Sequence, residues 1–166
     1  MTVQRPSKPS PAPSRALLER LLARLQGVRA GFVSSHARAQ MERDPDLEMI
    51  LGAGETWLPG EVRVLQAHGP NGHCHWNVSR MFQRGEIDAI VLGYAYTYLD
   101  GWHQHTWGLN KGPVDEVVET TSGNASATVY FGAELMEDAS FHFAEWCHRN
   151  APGQGRVRRV RGRGEI

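Results

Sequence analysis

The chain has 166 residues, 40% apolar and 22% charged, with 18 basic and 18 acidic side chains that cancel. That length and balance suit one globular domain with a proper core, and the zero net charge gives the whole molecule no field to draw it toward nucleic acid or membrane. Two cysteines make no disulfide framework, and no apolar run is long enough to span a bilayer.

Residues 1–13 place Pro6, Pro9, Pro11 and Pro13 among Ser and Lys and read as a disordered lead. The lead lacks the apolar stretch of a secretory signal, so the expected location is cytoplasmic. Ser14 is a good N-cap for the run that follows. Leu17, Leu18, Leu21, Leu22, Leu25 and Val28 recur at three- and four-residue steps and predict an amphipathic helix. Residues 36–51 suggest a second helix interrupted near Asp44-Pro45, with Leu47, Ile50 and Leu51 facing inward. Residues 52–60 read as a loop and Val62-Arg63-Val64-Leu65 as a short strand. His68-Gly69-Pro70-Asn71-Gly72 is turn material. A helix is expected from Cys74 to about Arg84, burying Val78, Met81 and Phe82 and closed by Gly85.

Residues 89–99 form a strongly apolar and aromatic strand that ends at Asp100-Gly101, a hairpin turn. Residues 102–109 return, Asn110-Lys111-Gly112-Pro113 turns again, and residues 114–121 make the next strand, which implies an antiparallel meander. Val129-Tyr130-Phe131-Gly132 suggests an edge strand, and residues 134–148 a helix with Leu135, Ala139, Phe143 and Trp146 as its core stripe. The expected fold class is α+β: a small antiparallel β-meander packed against a Cys-bearing helix and flanking helices. One domain covers residues 14–150. Residues 151–166, with five arginines between 156 and 163, form a flexible tail.

The chemistry lies in three short stretches. Cys74 stands where a turn ends and a helix begins, and the free N–H groups and partial positive charge there stabilise a thiolate. On the return strand His103, His105 and Trp107 share one face, so His105 is expected to reach the sulfur and Trp107 to wall the pocket, with His103 near its mouth. On the next strand Glu119, followed by Thr120 and Thr121, is the preferred acid, and Glu116, on the opposite face, is the fallback. Thiol, imidazole and carboxylate together make an activated nucleophile.

Gly72-His73-Cys74-His75-Trp76-Asn77, Gln104-His105-Thr106-Trp107, Val118-Glu119-Thr120-Thr121 and Tyr130-Phe131-Gly132 follow one another in an order that resembles the transglutaminase-like branch of the papain-like cysteine hydrolase superfamily. They are also similar to compact phage and bacterial proteins of unassigned role. The resemblance covers residues 70–135 and implies a papain-like core, a Cys–His–acid triad, and amide or thioester chemistry through an acyl-enzyme. It places Cys74 as nucleophile, His105 as base and Glu119 as orienting acid, with Glu where the pattern has Asp. Asn77 is then expected to brace the loop or the thiol, and Gln66 to supply an oxyanion donor. The substrate would be a peptide, protein or small amide or thioester, and no cofactor is required.

Two other readings compete. His73, His75, His103 and His105, with Cys74 and a glutamate, are acceptable zinc ligands, although neither Cys-x-x-Cys nor His-Glu-x-x-His is present. Trp57, Trp76, Trp102, Trp107 and Trp146 are enough aromatics to line the groove of a non-catalytic binding module. The arginine tail suggests weak, salt-dependent contact with nucleic acid or an acidic partner, and no membrane association is expected. Cys147, beside Trp146, reads as structural.

Overall fold

The computed structural model describes residues 15–121, 127, 129–150 and the backbone of 158–159. The expected lead, the Ser14 cap and most of the arginine tail lie outside the described residues. Among those described, α1 (Arg15–Val28), α2 (Ser35–Met41) and α3 (Leu47–Ala53) precede β1 (Glu55–Trp57) and β2 (Arg63–His68). Then come α4 (Cys74–Gln83), β3 (Ala89–Thr97), β4 (Gly101–Asn110), β5 (Glu116–Glu119), β6 (Val129–Glu134), α5 (Glu137–Arg149) and β7 (Arg158–Arg159). None of the described helices is long and apolar enough to cross a membrane.

The fold is α+β, with a six-stranded, mostly antiparallel sheet curled into a half-barrel and packed against α4 and α5. The strand order is β1-β6-β3-β4-β5-β2, with the two-residue β7 on the far edge. The meander β3-β4-β5 is present, its first turn made by Gly101 at a φ of 67°, a conformation that needs no Cβ. The sheet differs from a pure meander in one respect: β2 lies parallel to β5, with Gln66 opposite Glu119. A parallel neighbour requires a long crossover, and the chain from β2 to β5 supplies it by way of α4 and the β3–β4 hairpin. The predicted edge strand is in fact internal, because β6 lies between β3 and β1, a strand in the segment read as loop.

Period-two alternation sorts the strands onto two cores. On one face Ile90, Leu92, Tyr94, Tyr96 and Trp102 meet Leu18, Leu21 and Leu25 of α1 and Val78 and Met81 of α4. On the other, Val91, Ala95, Trp107, Leu109, Val117 and Tyr130 pack with Trp57. The expected stripe of α5 is rotated. Ser140, Ala144 and Cys147 are buried, while Trp146 is 58% exposed and Phe143 only half-buried. Small side chains occupy the buried steps of α5, Phe143 lies over His75 of α4, and Trp146 turns outward.

Candidate active site

Gly72 takes a φ of 76°, which turns the chain sharply into α4. Cys74 is the first residue of that helix, so its thiol sits among unsatisfied N–H groups at the positive end of the macrodipole. Asn77, fully buried, anchors this turn from one helical turn away. Its Nδ2 donates to Pro70 O at 3.1 Å and to Thr120 O at 3.3 Å. The loop before the cysteine is thereby tied to the segment just after Glu119, as bracing by Asn77 requires.

Cys74 Sγ lies 3.4 Å from His75 Nδ1, and the His105 imidazole is near enough to act on the thiol as well. His105 comes from β4 and Glu119 from the end of β5. The two strands pair only from Asn110 opposite Glu116 to Gly108 opposite Val118. Beyond the last of these pairs, His105 Nε2 reaches both oxygens of Glu119 at 2.9 Å. With Nε2 held there, Nδ1 is the nitrogen left for the thiol. Glu119 Oε1 also accepts from Thr120 N (2.9 Å), Thr121 N (3.1 Å) and Thr121 Oγ1 (3.2 Å), and Oε2 accepts from the Tyr130 hydroxyl (3.3 Å).

These contacts set the charges. Burial opposes ionisation of Cys74, but the hydrogen bonds from His105 and His75, with their positive charge, prevail and bring the thiol from 9.0 down to about 5. Burial likewise opposes charge on His105, yet Glu119 and the bond to Cys74 push the imidazole from 6.5 up to about 10. Burial would lift Glu119, but His105 and Thr121 hold it below its ordinary 4.5. All three directions favour a thiolate beside an imidazolium, backed by a carboxylate. Cys147 differs, since burial pushes its thiol up.

The other predicted residues separate cleanly. Trp107 is fully buried and stacks on His105, with ring centroids 6.1 Å apart and planes at 22°. His103 lies with its ring 6.1 Å from that of His105. Glu116 is far from its fallback role: it pairs with Arg63 at 2.8 Å at the opposite end of β5. Gln66 stands beside Glu119 in the β2–β5 register, but its side chain bonds none of the three site residues. His105 meets the Cys-bearing helix at its first residue, while the body of that helix packs elsewhere. The α4 core residues pack with Tyr94 and Trp102 on the other face, and Trp107 belongs to the second core. Among the described residues no group of three or more His, Cys, Asp or Glu is placed to hold a metal ion.

Sequence reasoning missed a second layer. Thr106 Oγ1 lies 3.1 Å from His75 Nδ1. Asp44, 2% exposed, accepts from the Tyr94 hydroxyl, from Gln104 Nε2 at 3.0 Å and from Asp46 N at 2.9 Å. Asp44, Asp46, His75, Gln104, His105 and Thr106 border one hollow of about 10 Å³, the room that a single water needs. Gln104 and Thr106, alternating with His103, His105 and Trp107 on the opposite face of the strand, were the available signal; Asp44, remote in sequence, offered none. Comparison with family models, with curated proteins and with solved structures returns no match for this chain.

Proposed function

We propose that the protein is a cysteine-dependent acyl hydrolase or acyltransferase, acting on an amide or thioester through Cys74, His105 and Glu119. The observation that carries this reading is the convergence of Cys74, His75, His105 and Glu119 in one buried cluster, with His105 Nε2 2.9 Å from both Glu119 oxygens, and with the thiol lowered to about 5 and the imidazole raised to about 10. A cysteine retained only for packing has no need of such partners, and burial alone would raise its pKa. The succession of a Cys-headed helix, a His-bearing strand and an acid-bearing strand also supports a papain-like or transglutaminase-like core.

In this mechanism the Cys74 thiolate attacks the substrate carbonyl carbon. His105, charged at rest, gives its proton to the departing amine or thiol, and Glu119 holds the ring in register. Backbone N–H groups at the start of α4 face the developing oxyanion, where each well-placed donor is worth about 3 kcal/mol. A peptide, a protein or a small thioester satisfies this chemistry equally. The test is alkylation by iodoacetamide across pH, read residue by residue by mass spectrometry. Cys74 should label with an apparent pKa near 5 and Cys147 only slowly. Equal, slow labelling of both thiols would defeat the reading.

A further inference from the structure

We propose that His75 is a second catalytic imidazole, the base that activates water to release the acyl group from Cys74, and that the hollow beside it seats that water. This inference rests on the acyl-enzyme reading above. Its geometry is independent of Glu119. His75 Nδ1 lies 3.4 Å from the sulfur and 3.1 Å from the Thr106 hydroxyl, while Phe143 covers the ring with centroids 5.5 Å apart. Both imidazoles border the hollow, together with the Thr106, Gln104 and Asp44 side chains that a bound water would use as partners. The sulfur does not border it. That offset suits the reaction, because the acyl carbon on Sγ must lie between sulfur and attacking water.

The two rings are charged for different reasons, and acylation separates them. His105 is held charged first by Glu119, which stays an anion after the sulfur is acylated. Burial opposes charge on His75. What overcomes it is chiefly the hydrogen bond and charge of the Cys74 thiolate, helped by Asp44 and countered by His105. Acylation removes that thiolate, so His75 loses its proton more readily; that proton passes through solvent to His105, which has given its own to the leaving group and is held charged again by Glu119, and His75 is left a neutral base. Asp46 also faces His75 and is itself raised by burial and by Asp44.

The step balances. Water oxygen bonds to the thioester carbon as its proton passes to His75; the tetrahedral intermediate collapses, the C–S bond breaks, and the electron pair leaves on Sγ. The products are a carboxylic acid and a thiolate again facing a protonated His75.

The test uses the full chain with p-nitrophenyl acetate, whose leaving group needs no acid. Release of p-nitrophenolate reports acylation, and intact mass follows loss of the acetyl group from Cys74. At pH 8, where His105 still favours the thiolate, His75→Gln should slow deacylation about 100-fold and acylation by far less. Thr106→Val, which removes the hydroxyl on His75 but touches neither His105 nor the sulfur, should slow deacylation in the same direction by less. If His75→Gln slows both steps equally, or neither, the proposal is overturned. If that variant does not fold, an unchanged deacylation rate in Thr106→Val overturns it instead. Failure of the parent reading looks different: wild type would then carry no acetyl group on Cys74 at all.

Discussion

Glu119 shows how one side chain can be both buried and charged. A carboxylate without solvent is costly unless its oxygens are filled, and here two backbone N–H groups, the Thr121 hydroxyl, the Tyr130 hydroxyl and His105 fill them. The extra methylene relative to Asp is accommodated, since both oxygens reach His105 at 2.9 Å. Glu119→Gln keeps the shape and removes the charge that holds His105 protonated. Turnover should fall at least about 100-fold, and the pH midpoint of Cys74 alkylation should move from about 5 toward 9.0. An unchanged midpoint would mean that the carboxylate does not govern the thiol.

At the level of elements, the site depends on three strands and one helix end converging. β6 brings Tyr130 to Glu119 only because it runs beside β3 in close contact, with Gly93 opposite Gly132. A Cβ on Gly93 would lie 2.2 Å from Phe131 O and 2.5 Å from the Gly132 Cα, both backbone atoms that cannot swing aside. Gly93→Ala should therefore cost about 2 kcal/mol of stability, measured by urea unfolding, and loosen Tyr130 with it. A variant as stable as wild type would show that the β3–β6 pair can open without loss. The α4–α5 contact follows the same logic of size, with Ser140, Ala144 and Cys147 facing inward and Trp146 displaced to the surface.

For the molecule as a whole, the buried ion pair predicts how stability varies with pH. The folded-state pKa of Cys74 is depressed, so its contribution is complete above 9.0 and is lost as pH falls through about 5. That of His105 is raised, so its contribution is complete below 6.5 and is lost as pH rises through about 10. Between 6.5 and 9.0 the two slopes oppose, and outside that window each acts alone. Urea midpoints should therefore be highest within the window and fall toward pH 5 and pH 10. Cys74→Ser should flatten the decline between 6.5 and 5, and persistence of the full decline in that variant would exclude the thiolate as its cause.

Local rules sufficed wherever neighbours in sequence are neighbours in space. The leucine spacing of α1, the Gly72 turn into α4, the Asp100-Gly101 hairpin and the strand alternation around His105 all follow from backbone geometry and side-chain period. The residues Cys74, His105 and Glu119 could be chosen from the chain because thiol, imidazole and acid each stand at the start or on the face of such an element. Tertiary structure alone decided the rest: the parallel pairing of β2 with β5, the place of β6 inside the sheet, and the approach of Asp44 and Tyr130. These contacts join residues far apart in sequence, and their energy comes from filling buried polar atoms and packing opposed faces, which no local pattern encodes.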